Sequence, residues 1–255
     1  MLKSGLVSVS FRSLPPERII RLTAEAGLSG IEWGGDVHVP PEDLLKAKNI
    51  GEQTRANGLA VSAYGSYYRL GQYGEGFRPE FRKVLAAAKA LGAPVVRLWA
   101  GTKGSAQTDE ATRAALVKEA GVLAQMARET GILPAFECHP DTLTDRCASS
   151  LRLMREIACE NVRLYWQPNQ NLPFAENLET LKALLPYLAH IHVFYWPRPG
   201  IREPLAKGEN EWLEYLSAAA ASDKEHFCSL EFMPDDAPAS LKNEAATLNR
   251  LLKSF

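Results

Sequence analysis

Short stretches rich in Val, Ile, Leu and aromatic residues alternate along the chain with longer amphipathic stretches rich in Ala, Leu, Lys and Glu. Compact apolar runs bounded by turn residues read as strands, and apolar positions recurring every three to four residues read as helices. Their regular alternation predicts a parallel sheet with crossover helices. Strands are expected at Gly5–Ser10, Gly30–Trp33, Ala60–Gly65, Val95–Ala100, Leu133–Cys138, Arg163–Gln167, Ala189–Tyr195 and Cys228–Met233. Helices are expected at Pro16–Ala26, Glu42–Asn57, Glu80–Leu91, Asp109–Thr130, Ser149–Ala158, Leu178–Leu184, Glu211–Ala221 and Ala239–Leu252. Pro15 and Pro16 open the first helix, while Gly27, Gly58, Gly92 and Gly131 follow the ends of the first four, the usual asymmetry of proline and glycine at helix termini.

Eight such pairs in 255 residues give about 32 residues each, the size of one βα unit, and the total matches a (β/α)8 barrel. The expected fold is therefore an α/β TIM barrel, one domain over residues 1–255. A doubly wound open sheet competes, but Phe11-Arg12-Ser13-Leu14 after the first strand carries no glycine for a phosphate turn.

Successive strand residues face opposite sides of a sheet, so in a barrel one parity points to the axis and the other to the helices. Phe136 and Cys138, Leu164 and Trp166, Ile191 and Val193, and Leu230 and Phe232 form greasy parities suited to lie under helices. The opposite parities place Glu137 and His139, Tyr165 and Gln167, His190 and His192, and Ser229 and Glu231 toward the axis. The same sorting places Glu32, Tyr64, Arg97 and Trp99 there, and assigns Trp33 and Trp166 to the core. Chemistry in these barrels sits at the C-terminal strand ends. Glu32, Arg97, Glu137, Gln167, His192 and Glu231 gathered at one mouth are costly to bury without ions or ligands. The bland alternative is an internal salt-bridge network built on Arg97.

Composition narrows the classes. The chain is 46% hydrophobic and 23% charged, with 29 Lys and Arg against 30 Asp and Glu. A formal net charge of -1 supplies no basic field for nucleic acid or an anionic membrane surface. No apolar run approaches the roughly 18 residues of a membrane span, and Met1–Gly5 leads into an alternating pattern unlike a signal-peptide core. Cys138, Cys147, Cys159 and Cys228 lack CxxC spacing and read as isolated thiols. A cytoplasmic protein is expected.

Two glutamates, an imidazole and an amide oxygen from four strands make an oxygen-rich donor set. Glu137, Gln167, His192 and Glu231 therefore suit one divalent metal, Mn²⁺, Mg²⁺ or Co²⁺, and tolerate Zn²⁺. Four segments carry a resemblance: Ala135-Phe136-Glu137-Cys138-His139, Tyr165-Trp166-Gln167-Pro168-Asn169, His190-Ile191-His192-Val193 and Ser229-Leu230-Glu231-Phe232. The sequence resembles the xylose-isomerase-like barrels, which include sugar isomerases, ketose 3-epimerases, hydroxypyruvate and inosose-type enzymes and, more distantly, type-IV endonucleases. In that family the four strands supply Glu, Asp, His and Glu to one metal. Gly208-Glu209-Asn210-Glu211-Trp212 is similar to a family loop after the seventh strand. Gln167 stands where the family has aspartate, which lowers the ligand charge, and Gln170 stands where many epimerases have histidine.

The resemblance implies a metal-dependent sugar or polyol isomerase or epimerase working through an enediolate. Glu137 and Glu231 are its expected catalytic pair, one removing and the other returning a proton. Substrate contacts are expected from Glu32, Tyr64, Arg97, Trp99, His139 and Arg198, with Arg202 as understudy to Arg198 and Tyr64 and Trp99 walling a sugar ring. His38 reads as a surface histidine. A catalytically altered sugar binder and an inosose dehydratase-type lyase are the alternatives. Five histidines and the near-zero charge weigh against the endonuclease, and the isolated Gly74-x-Gly76 weighs against a dinucleotide enzyme. A small sugar or polyol is the expected partner, and the resemblance is compatible with a dimer or tetramer.

Overall fold

A computed structural model describes residues 1–255 and closes eight parallel strands into a barrel. The barrel strands are β1 (Leu2–Val7), β2 (Gly30–Gly34), β3 (Ala60–Arg69), β4 (Val95–Trp99), β5 (Leu133–Glu137), β6 (Arg163–Trp166), β7 (Leu188–Val193) and β10 (His226–Leu230). Two short strands, β8 (Tyr195–Arg198) and β9 (Ile201–Glu203), form an antiparallel hairpin after β7. Each sequential neighbour pairs in parallel, and β10 closes on β1 with Leu6 opposite Leu230.

Helices α1 (Pro16–Glu25), α2 (Leu44–Ala56), α3 (Phe77–Leu91), α4 (Glu110–Arg128), α5 (Cys147–Ile157), α6 (Phe174–Leu184), α7 (Glu209–Ala220) and α8 (Pro238–Leu252) ring the strands. Their starts and stops have local causes. Pro16 stands at the first position of α1, and the Asp43 and Asp109 carboxylates accept from the backbone N–H of Lys46 at 2.9 Å and Thr112 at 2.7 Å. One large apolar layer fills the space between sheet and helices. A small one, Ala63, Val95, Ala135, Tyr165 and Ala189, fills the lower barrel axis. All four cysteines are free thiols, and no helix is long and apolar enough to cross a membrane.

Three local departures from the sequence reading matter. β1 begins at Leu2, and the alternation of Val7, Val9 and Phe11 continues into a 3-10 turn over Ser8–Phe11. β3 carries an extra residue: Ile31 pairs with Val61 but Glu32 pairs with Ala63, leaving Ser62 unmatched. Such a bulge reverses which parity faces the axis beyond it. In the stretch Gly208–Trp212, Gly208 ends a 3-10 turn and Glu209–Trp212 form the first turn of α7 rather than a loop.

Candidate active site

Glu32, Arg97, Glu137, His192 and Glu231 meet at the C-terminal mouth, each at least nine-tenths buried. The Arg97 guanidinium donates through Nε to Glu32 at 2.6 Å and through Nη1 to Glu137. Its seat exists because Gly65 has no side chain: a Cβ there would lie 2.7 Å from Arg97 Nη2 and 2.9 Å from Glu32 Oε1. The Trp99 indole N–H also donates to the Glu137 oxygen that Arg97 holds. Burial alone would raise both carboxyl pKa values, but Arg97 and then His192 outweigh it and hold Glu32 and Glu137 below the usual carboxylate range.

His192 is the hub. Its Nε2 lies 3.1 Å from Glu32, and its Nδ1 lies 3.2 Å from Glu231, 3.8 Å from Glu137 and 3.1 Å from the Gln167 side-chain oxygen. Burial disfavours the imidazolium, yet Glu231 and Glu32 pull its pKa up to about 10.

A metal ion suits the same place. Ligand atoms of Glu137, His192 and Glu231 lie within 4.8 Å of one another. Ligands about 2.1 Å from a cation sit about 3 Å apart when adjacent and about 4.2 Å apart when opposite. The distances from Nδ1 to the oxygens of Gln167, Glu231 and Glu137, 3.1, 3.2 and 3.8 Å, fall in that range. Glu32 on Nε2 fixes the tautomer that leaves Nδ1 free to ligate, the carboxylate–histidine arrangement of many metal sites. The two carboxylates of Glu137 and Glu231 balance a dication, and Gln167 adds an oxygen without charge.

Above this floor opens a cavity of about 330 Å³, within the size range of small-molecule sites. Arg97, Trp99, Glu137, His139, Gln167 and Glu231 line it, as their strand parities predict. His139 packs its ring on Trp99 at 5.3 Å and points Nδ1 to the Pro140 carbonyl at 2.7 Å, leaving Nε2 for a ligand.

Other side chains lie elsewhere than the sequence reading expects. Tyr64 is fully buried on the helix side, its hydroxyl donating to the Val39 carbonyl at 2.9 Å, because the Ser62 bulge reverses its parity; it is not a ring wall. Arg198 sits exposed beside the Pro199–Gly200 turn of the β8–β9 hairpin, whereas Arg202 turns inward and stacks at 5.0 Å over both Trp196 and Phe232. His38 is buried, with Nδ1 3.0 Å from Ser8 Oγ and its ring edge against Trp33.

The cavity also recruits residues the sequence did not single out for it. Tyr67 stands at φ 60° with its ring 5.5 Å from the Arg97 guanidinium, and Phe232, expected under the helices, instead lines the cavity because its backbone turns left-handed at φ 49°. Both line the cavity, and left-handed backbone at bulky residues is uncommon away from functional sites. Arg12, which ion-pairs Asp36, also lines it, with Pro140, Gln170, Phe194 and Trp196. The one available signal was the lone arginine in the first strand-to-helix loop.

The family model for xylose isomerase-like TIM barrels matches residues 20–251. The chain belongs to that family. This xylose isomerase-like barrel is 28% identical to the 3-dehydroshikimate dehydratase of Bacillus anthracis, with 99% of each chain aligned. It superposes on the crystal structure of the probable 3-DHS dehydratase AsbF, involved in petrobactin synthesis from that organism. The TM-score is 0.82 at 21% identity, covering 97% of this chain and 98% of the other. An L-ribulose 3-epimerase structure gives a TM-score of 0.73 at 16% identity, covering 100% and 95%. At these identities the structural likeness is one of fold.

Proposed function

We propose that this barrel is a divalent-metal-dependent enzyme that removes the proton beside a carbonyl in a small hydroxylated compound and completes a dehydration. The unequal surroundings of its two mouth carboxylates carry this reading. Glu137 gives one oxygen to both Arg97 and Trp99, which keep it ionised and weaken it as a base. Glu231 meets only His192 at 3.2 Å, and it lines the cavity. One competent base suffices for elimination. The Glu231 carboxylate takes the proton on the carbon next to the carbonyl, and the C–H electron pair passes into the carbonyl system. As the C=C bond forms, the β-hydroxyl departs, and the proton on Glu231 passes to it to release water. Glu137, Gln167, His192 and Glu231 would hold the cation, which when bound would polarise the carbonyl and stabilise developing negative charge. His139 offers Nε2 to a substrate hydroxyl.

The full-length similarity to a dehydratase supports this outcome. Epimerisation is the second reading, supported by two carboxylates, Glu137 and Glu231, within 4.8 Å of each other, and it needs Glu137 as second base. Incubation of the Mn²⁺-loaded enzyme in D₂O with hydroxylated cyclic and open-chain ketones decides between them. Dehydration produces a conjugated enone by absorbance; inversion with deuterium uptake and no loss of water would replace it with epimerisation. Glu231→Gln should lower turnover by about 10²–10⁴-fold with an unchanged circular dichroism spectrum, and a wild-type rate in that variant would remove Glu231 as the base.

A further inference from the structure

A second cavity, about 300 Å³, lies beside the catalytic one between the loop after β6 and the start of α7. Gln170, Phe194 and Trp196 line both cavities, so the two adjoin at these residues. The rest of its apolar lining comes from Leu172, Phe174, Tyr195, Trp212 and Tyr215. It is built in advance of any ligand. The Asn177 side chain accepts from the Asn169 N–H at 2.8 Å and donates to the carbonyls of Asn169 at 3.0 Å and Leu172 at 3.2 Å, and the Trp212 indole donates to the Phe194 carbonyl at 2.9 Å.

Glu211 is the group no other part of the fold explains. Its half-buried carboxylate lines this cavity with no ion pair and no hydrogen-bond donor from the chain, and burial pushes its pKa up. The Gln170 amide, also without a partner in the chain, stands at the boundary between the two cavities. No Lys, Arg or His lines the cavity, so a phosphate or carboxylate would find no cation there and would face the acid of Glu211. A purely apolar ring would leave that carboxylate desolvated and unpaired. Aromatic faces with a carboxylate and an amide instead suit a ring that is apolar on its C–H faces and hydroxylated at its edge.

We propose that this cavity is a second subsite, taking a neutral glycosyl unit joined to the group that reacts next door. The inference rests on the proposed function only in placing the reacting group. Calorimetric titration with glucose and with a panel of glucose disaccharides of different linkage tests it, because these compounds carry no activated carbonyl and binding is read without turnover. At least one disaccharide should bind about tenfold or more tightly than glucose, a factor worth about 1.4 kcal/mol. Glu211→Ala and Phe174→Ala should each remove that gap, and Glu211→Gln should keep most of it. Equal affinity for glucose and every disaccharide, or a gap that survives both substitutions, overturns the subsite. If the dehydration reading fails, the gap persists; if the subsite fails, turnover of single-ring ketones persists.

Discussion

His190 and His192 stand two residues apart on β7, both buried and both facing the barrel axis, yet their surroundings move their pKa values in opposite directions. Burial pushes the His190 pKa down to about 4, and its neutral ring is satisfied locally: Nδ1 accepts from the Phe227 N–H at 3.1 Å, and Nε2 lies 3.3 Å from the Ser62 carbonyl. His192 meets the same burial but also Glu231 and Glu32, and is drawn up to about 10. Desolvation is thus common to both levels of the interior, and convergence of carboxylates on one level separates a packing histidine from a site. The lower level is closed by Ala63, Val95, Ala135, Tyr165 and Ala189, whereas the upper level opens into the cavity.

Removing Arg97 is the harshest way to break this contrast. Arg97→Met strips the guanidinium from Glu32 and Glu137, and a buried ion pair that loses one partner costs about 3–5 kcal/mol. Urea unfolding of the metal-free protein measures it. A loss below about 1 kcal/mol would mean that His192 alone neutralises these acids and that Arg97 is dispensable to the well.

Exchanging the histidines separately sharpens the contrast. His192→Gln should weaken Mn²⁺ binding by at least the roughly 100-fold that partners outside the ligand shell alone contribute, with turnover falling in parallel. His190→Gln should leave Mn²⁺ affinity unchanged and cost about 1–3 kcal/mol of stability through its disturbed backbone contacts. Metal titration and urea unfolding of both variants distinguish the roles, and similar metal affinities in the two would erase the distinction between the levels.

The same contrast explains how much was legible in the sequence. Barrel strands alternate with a period of two, so the axis parity of Glu32, Arg97, Glu137, His192 and Glu231 follows from their neighbours in sequence. The level within the barrel follows from position along the strand, and both histidines could be seen to face inward. Tyr64 broke the reading because a single extra residue, Ser62, is invisible to a period count and reverses every residue after it in β3. Arg198 broke it because the Pro199–Gly200 turn folds the chain back and leaves Arg198 exposed, while Arg202 packs on Trp196 and Phe232 and pairs with Asp236. Tyr67 and Arg12 lie beyond the expected strand ends, where alternation gives no direction at all; β3 in fact continues to Arg69, and Tyr67 turns toward Arg97 through a left-handed backbone.

That error offers the gentlest test. Tyr64 and Tyr67 are three residues apart on β3, and the bulge assigns the first to the helix layer and the second to the cavity. Tyr64→Phe deletes a buried hydroxyl that donates to the Val39 carbonyl, so it should cost about 1 kcal/mol of stability with kcat/KM unchanged. Tyr67→Phe removes only a 3.4 Å contact from the exposed Arg12, so it should leave stability within about 0.5 kcal/mol. Its effect belongs in KM, raised by a few fold as a hydroxyl is lost from the cavity wall. Urea midpoints and steady-state kinetics on the pair read both axes at once. If Tyr64→Phe instead changed KM and Tyr67→Phe changed the midpoint, β3 would run without its bulge and the uninterrupted period of two would describe the barrel better.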